Sequence, residues 1–144
     1  MALPPTDMLC FALYSTAHAV QAAYAPLLEP LGLTYPQYLV LSALALQDGQ
    51  SVGELGTALR LESNTLTPLL KRMEAAGWLQ RRRDPADERQ VRLTLSPEGR
   101  ALAQDAAGIP AAFARKTGLA LADIADLRDI LIDLRDRLKP AAKG

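Results

Sequence analysis

Residues 51–77, SVGELGTALRLESNTLTPLLKRMEAAG, and residues 78–95, WLQRRRDPADERQVRLTL, decide the fold of this chain. Ser51 is followed three residues later by Glu54, which is the spacing of a capping box, so a helix begins here. After a short turn, Ser63 is placed to cap a second helix. The apolar residues of that helix recur at i, i+3, i+4 and i+7, the spacing of one buried face: Leu66, Leu69, Leu70 and Met73.

The hydrophobic period changes after Gly77, which is placed to end the second helix. Residues 78–83 form a short run, and residues 89–95 alternate between apolar and polar side chains, as strands do. The intervening residues 84–88, DPADE, are rich in turn formers. We therefore predict a β-hairpin with a charged tip. Two short helices followed directly by such a hairpin are typical of a winged helix-turn-helix.

A long helix is predicted before this unit, over about residues 6–28, with Thr6 or Asp7 as its N-cap. Its middle is apolar almost all round, and a helix of that kind must be covered on every side. A small domain rarely covers a helix so completely, so we expect this one to form a subunit interface. The residues expected to end the helix are Pro26, Pro30 and Gly32.

Three further helices are predicted, at about 35–47, 97–115 and 120–138. The fold class is therefore mainly α with a small β-hairpin wing. The predicted organisation is a single domain over 1–144, in which dimerisation helices at about 6–30 and 97–138 flank a winged helix-turn-helix at about 35–95.

Composition narrows the class of protein. The chain has 144 residues, of which 49% are hydrophobic, so it can build a core without a metal or disulfide. It has one cysteine, Cys10, and one histidine, His18, which excludes an intrachain disulfide framework and makes a zinc site improbable. We expect no metal and no cofactor. The start lacks a basic segment and no apolar run approaches 18 residues, so we expect no signal peptide, no membrane span and a cytoplasmic location.

Charge is unevenly distributed along the chain. Sixteen basic and sixteen acidic residues give a net charge of zero, but the segment from Lys71 to Arg92 has seven basic and four acidic residues, a net of +3. Local charge matters more than total charge for binding phosphates. The second helix fits a major groove, and an arginine on a hairpin suits a narrow minor groove. The candidate DNA-binding residues are Ser63, Asn64, Thr65, Thr67, Pro68, Lys71 and Arg72 on the helix and Arg81, Arg83, Asp87 and Arg89 on the hairpin.

Four stretches carry a family resemblance. Residues 65–77, TLTPLLKRMEAAG, and 84–89, DPADER, resemble the MarR family of bacterial regulators. Residues 9–14, LCFALY, and 33–38, LTYPQY, are similar to its organic-hydroperoxide-sensing branch, the OhrR type. The resemblance covers about residues 6–105, and the last third matches only in being helical. It implies a DNA-binding repressor that is a homodimer with interlocked terminal helices and binds a palindromic operator on double-stranded DNA.

The resemblance also implies a redox sensor. Cys10 matches the family's peroxide-reactive cysteine, and Tyr24 and Tyr35 match tyrosines whose hydroxyls hydrogen-bond the sulfur, partly from the partner subunit. Tyr14 shares the helix face of Cys10 and is a weaker candidate. An organic hydroperoxide, as inducer, would oxidise the thiolate to a sulfenic acid. Because the chain has no second cysteine, we expect a small thiol to react with the sulfenic acid and form a mixed disulfide.

Other functions remain open on the residues alone. Cys10 could be a buried structural residue in a repressor that responds to a small phenolic ligand. The chain could be a one-cysteine thiol peroxidase, although no catalytic histidine pairing is evident and we expect no enzyme activity. It could also be a protein-interaction module of winged-helix type. Asp84, Asp87 and Glu88 are a second candidate set, as paired carboxylates, but their place on a predicted exposed turn favours a role in shaping that turn.

Overall fold

The computed structural model describes residues 1–139, which divide into two compact units, residues 1–108 and residues 109 onward. The first unit contains helices α1 (Leu9–Leu28), α2 (Tyr35–Leu46), α3 (Val52–Leu59), α4 (Ser63–Ala75) and α5 (Pro97–Asp105), and strands β1 (Leu79–Asp84) and β2 (Asp87–Leu95). The second unit contains α6 (Ile109–Thr117) and α7 (Leu121–Arg137). The predicted class, mainly α with a small β-hairpin wing, is confirmed. None of the described helices is both long and apolar enough to span a lipid bilayer.

The helix-turn-helix forms as its sequence predicts. Ser51 and Glu54 make both hydrogen bonds of the capping box, each at 3.0 Å. Arg60 ends α3 in the left-handed conformation, with φ of 55°. The Cβ of any larger residue at Gly56 would lie 2.9 Å from the carbonyl oxygen of Leu61, so glycine lets this turn close. The four apolar residues predicted to face the core of α4 are all buried.

The wing is an antiparallel hairpin. Leu79 pairs with Leu95 and Arg83 with Val91, and Asp84 pairs with Asp87 across a tight turn. Both strands are therefore longer at the tip than predicted. Ser51 forms an isolated antiparallel bridge to Arg92 beside β2. The buried side chains of the hairpin, which lie at its base, are Leu79, Leu93 and Leu95.

Several predicted boundaries were wrong. Thr6 and Asp7 lie in a separate 3₁₀ turn, Pro5–Asp7, and α1 begins after an extended Met8 that provides no side-chain cap. Pro26 lies within α1 and does not end it. The chain instead turns after a 3₁₀ segment at a left-handed Gly32.

The N-cap predicted for the second helix of the motif was also wrong. Ser63 is the first residue of α4, and Glu62 is the N-cap, because its extended backbone directly precedes the helix. The carbonyl of Glu62 accepts the N–H groups of Thr65 and Leu66. The predicted helix over 97–115 is two helices, because Pro110 has no N–H to continue a helix and fits only near the start of a new one.

The terminal helices expose apolar side chains. Leu28 is the buried residue of α1, whereas Leu9 and Tyr14 are 64% and 66% exposed. In the second unit, Ile130 on α7 is 64% exposed. Apolar surface of this extent agrees with the expectation of a subunit interface. The interlocked dimer and the single domain over 1–144 stay predictions, and residues 140–144 lie outside the described part of the chain.

Candidate nucleic-acid interface and cysteine site

The outer face of α4 is available to a duplex. Its apolar face packs inward on the buried leucines, so its polar positions point away from the core. Thr67 is half-buried, and the other predicted helix positions are exposed: Ser63, Asn64, Thr65, Pro68, Lys71 and Arg72. The first backbone N–H groups of α4 receive no side-chain cap, and the positive end of a helix dipole favours phosphate. The helix therefore presents small polar groups, two cations and free amides on one surface.

The arginines of the wing differ in their exposure to solvent and in their hydrogen-bond and ion-pair partners. The side chain of Arg89 is 92% exposed, and it forms an ion pair with Asp87 that is 3.3 Å long. Arg83 donates from Nη1 to the carbonyl of Glu88 at 2.9 Å, which braces the hairpin. Arg81 is 29% exposed, and both its backbone N–H and its Nε donate to Glu74 on α4. Arg89 is thus the arginine best placed to enter a groove, whereas Arg81 ties β1 to α4 in the free protein.

The carboxylates at the wing tip shape the turn, as the sequence indicated. Asp84 accepts the N–H of Ala86 at 2.8 Å, and Asp87 accepts the N–H of Arg89 at 3.2 Å. The Ala86 N–H and then the Arg92 guanidinium hold the pKa of Asp84 below its ordinary value. Both donors favour the ionised form of Asp84, so this carboxylate remains charged and keeps the turn closed at neutral pH.

Cys10 is exposed and occupies the second position of α1. The backbone N–H groups in the first turn of a helix carry partial positive charge. Tyr14 lies one turn further along the helix, and its ring meets that of His18 at a centroid distance of 4.6 Å. The predicted sensor cysteine therefore combines solvent access with a helix N-terminus.

The two matching tyrosines lie together but far from Cys10 of their own chain. The rings of Tyr24 and Tyr35 have centroids 5.0 Å apart, and Tyr38, which the sequence analysis missed, lies 6.0 Å from Tyr24. Burial, followed by Tyr35 and Tyr38, raises the pKa of Tyr24 to about 12, so its hydroxyl stays a hydrogen-bond donor. Fourteen residues of one helix separate Cys10 from Tyr24, a rise of about 21 Å. A single chain therefore does not bring the cysteine and this tyrosine together.

The three-residue spacing of the two tyrosines in LTYPQY, residues 33–38, could have indicated from the sequence that Tyr38 lies beside Tyr35. Tyr35 and Tyr38 are three residues apart on α2 and so share one face of it. Burial also raises the pKa of Tyr38, against a hydrogen bond with Ser42 that lowers it. The three rings form one aromatic cluster between α1 and α2.

Comparison with known proteins agrees with this architecture. The model of the MarR family matches residues 33–91. The HTH-type transcriptional regulator TtmR of Methylorubrum extorquens is 48% identical over 94% of this chain and 70% of its own length. The organic hydroperoxide resistance transcriptional regulator of Bacillus subtilis is 38% identical over 92% of this chain and 90% of its own. That relative confirms the resemblance to the OhrR type.

Solved structures of AbfR from Staphylococcus epidermidis are also similar. Reduced AbfR bound to DNA is 30% identical, with a TM-score of 0.76 over 94% of this chain and 96% of that one. Overoxidised AbfR bound to DNA is 32% identical, with a TM-score of 0.73 over 92% of this chain and 94% of that one. The helices and wing described above thus have the arrangement found in regulators solved on DNA.

Proposed function

Because the chain belongs to the MarR family of DNA-binding transcriptional regulators, we propose that it is a cytoplasmic homodimeric repressor that releases its operator when an organic hydroperoxide oxidises Cys10. The observation that carries the proposal is the exposed thiol of Cys10 in the first turn of α1. That position gives an oxidant access to the sulfur. The match to the Bacillus regulator supports the choice of oxidant.

On DNA, α4 lies in a major groove and the wing reaches the neighbouring backbone or minor groove. The exposed helix positions and Arg89 provide the contacts. A dimer presents two such units, so the operator is a palindrome whose half-sites lie about 34 Å apart, one turn of duplex. The uncapped N-terminus of α4 is free to bind a phosphate there.

The dimer also completes the sensor. Since Tyr24 lies about 21 Å along the helix from Cys10 of its own chain, its hydroxyl can reach a thiolate only from another subunit. The exposed apolar side chains of α1 and α7 provide the surface for that association. Tyr24, with its raised pKa, donates to the sulfur, and Tyr35 lies beside it.

Cys10 reacts in two steps, an oxidation followed by formation of a mixed disulfide. The Cys10 thiolate attacks the terminal oxygen of the hydroperoxide, the O–O bond breaks, and the alkoxide leaves and takes up a proton to become an alcohol. The sulfur, oxidised by two electrons, is then a sulfenic acid. A small thiol displaces its hydroxyl as water and leaves a mixed disulfide on Cys10. The added group changes the packing around α1 and moves the two wings out of register with their half-sites.

The required energy is modest, because a hundredfold loss of operator affinity corresponds to about 2.7 kcal/mol. The test is a gel shift on upstream DNA with and without an alkyl hydroperoxide, using the wild type and Cys10→Ser. The wild type should release DNA on oxidation and the serine variant should remain bound. Release of the serine variant would show that Cys10 is not the sensor.

Mass spectrometry of the oxidised protein should find one small thiol per chain. A Cys10–Cys10 crosslinked dimer alone would contradict the mixed disulfide. A wild-type gel shift that ignores peroxide would favour regulation by a small phenolic ligand. Repeated turnover of peroxide with excess thiol would instead favour a one-cysteine peroxidase.

A further inference from the structure

The guanidinium of Arg92 on β2 connects the wing to the helix-turn-helix. Its Nε donates to the carboxylate of Asp84 at 3.1 Å, at the end of β1. Its Nη1 donates to the carbonyl of Gly49 at 3.4 Å and to both carboxylate oxygens of Glu54 at 3.3 and 3.2 Å. One side chain therefore contacts the wing tip, the loop after α2 and the first turn of α3. We call this set of four residues, Gly49, Glu54, Asp84 and Arg92, the wing clamp.

Both carboxylates of the wing clamp are already fixed by backbone amides. Glu54 accepts the N–H of Ser51 as part of the capping box, and Asp84 accepts the N–H of Ala86. The side chains of Asp84 and Arg92 are 18% and 35% exposed, so water only partly shields the pair. The bond from Arg92 to Asp84 lies within the hairpin and holds the guanidinium in place. The bonds to Gly49 and Glu54 cross to the helix-turn-helix and restrict rotation of the hairpin.

Besides the wing clamp, the bonds of Arg81 to Glu74 and the Ser51–Arg92 bridge join the hairpin to the helix-turn-helix near its base. The side chains that anchor it to the core, Leu79, Leu93 and Leu95, lie at its base. Residues 82–90 are exposed or half-buried. Arg92 lies opposite Arg82, at the inner edge of this outer part. Arg89 lies three residues, or about 10 Å, further out. A small rotation at the clamp therefore moves Arg89 through a larger distance.

We infer that Arg92 is a positioning residue that sets the angle of the wing relative to α4, so that Arg89 meets the same duplex that α4 engages. This inference rests on the proposed DNA-binding role of Arg89 and adds a determinant outside the predicted DNA-binding set. Arg92 acts through Arg89 and the hairpin, with no contact to DNA of its own.

A double-mutant cycle tests this dependence. Operator affinity is measured by fluorescence anisotropy for the wild type, Arg92→Met, Arg89→Ala and the double variant. Arg92→Met should lower affinity about five- to tenfold in the wild-type background. In the Arg89→Ala background the same change should lower affinity less than twofold. The reason is that this variant already lacks the Arg89 contact that Arg92 positions. An equal loss in both backgrounds would overturn the inference.

Arg82→Met is the matched control. Arg82 lies opposite Arg92 in the strand register, shares its face of the hairpin and donates to the amide of Gln80. The substitution removes the same charge and leaves the wing clamp intact. Its effect on affinity should therefore be independent of Arg89. Dependence on Arg89 as strong as that of Arg92→Met would show a general charge effect and overturn the specific role of the clamp.

Glu54→Gln provides a second variant that keeps the fold. Glutamine also completes a capping box, so α3 retains its start, but the charge that holds Arg92 is removed. Loss of a negative charge near DNA would by itself raise affinity. Loosening the wing clamp should instead lower it about two- to fivefold, and a rise would contradict the inference.

If Arg89→Ala alone leaves affinity unchanged, the proposed wing contact fails, a result distinct from failure of the clamp.

Discussion

Replacing Arg89 by alanine tests whether the wing binds DNA without disturbing the fold. The side chain is 92% exposed, and its ion pair with Asp87 is 3.3 Å long at the surface. Exposed pairs of this kind contribute less than about 1 kcal/mol to folding. The free energy of unfolding should therefore change little, and any loss of binding is attributable to the contact with DNA.

The expected loss follows from the two wings of the proposed dimer. If each arginine contributes about 1 kcal/mol, the dimer loses about 2 kcal/mol, or a factor of about thirty in affinity. Two fewer cations at the phosphates should reduce the slope of log K against log salt by about 1.8. Arg89→Lys is the control, because it keeps the charge and the salt slope but loses the planar guanidinium.

The assay is fluorescence anisotropy of a labelled operator titrated at several salt concentrations, with circular dichroism melting to confirm that each variant is folded. An unchanged salt slope for Arg89→Ala would remove the wing from the DNA-binding surface. A loss of affinity accompanied by a large fall in melting temperature would mean that the arginine supports the fold rather than the contact.

Four other substitutions have expected outcomes. Gly99→Ala should destabilise the protein by about 2–4 kcal/mol in chemical denaturation, because the new Cβ would lie 1.9 Å from the carbonyl oxygen of Trp78. Gly53→Ala, whose nearest neighbour is 3.9 Å away, should stabilise it by about 0.5–1 kcal/mol, and a loss at both positions would contradict this packing argument. Asp84→Asn should reduce the fall in stability on acidification: the lowered pKa stabilises the fold above the ordinary value of 3.8, and that contribution disappears as pH falls below it. Identical pH curves for the wild type and this variant would refute that sign. Tyr24→Phe should slow oxidation of Cys10 by an alkyl hydroperoxide, measured as loss of free thiol, and should weaken the loss of stability as pH rises from 10 towards 12. Unchanged oxidation kinetics would exclude Tyr24 from the sensor.

The local elements were predictable from short-range patterns. The capping box at Ser51 and the apolar period of α4 placed the helix-turn-helix, and the alternation before Leu95 placed the wing, because each signal depends on residues within one or two turns. Boundaries set by competition between neighbouring segments were not predictable. Glu62 rather than Ser63 caps α4, and Pro110 divides the helix expected after the wing.

The sequence by itself determined which residues are polar, charged or reactive, and on which helix face or strand each one lies, since helix and strand periods fix those faces. Only the tertiary structure decided what these residues contact. Arg81 bonds Glu74, Arg89 stays in solvent, and Arg92 joins Asp84 to Glu54, although all three are arginines of one hairpin. The physical reason is that an ion pair depends on the distance between side chains on different helices and strands, and packing of the buried leucines sets that distance.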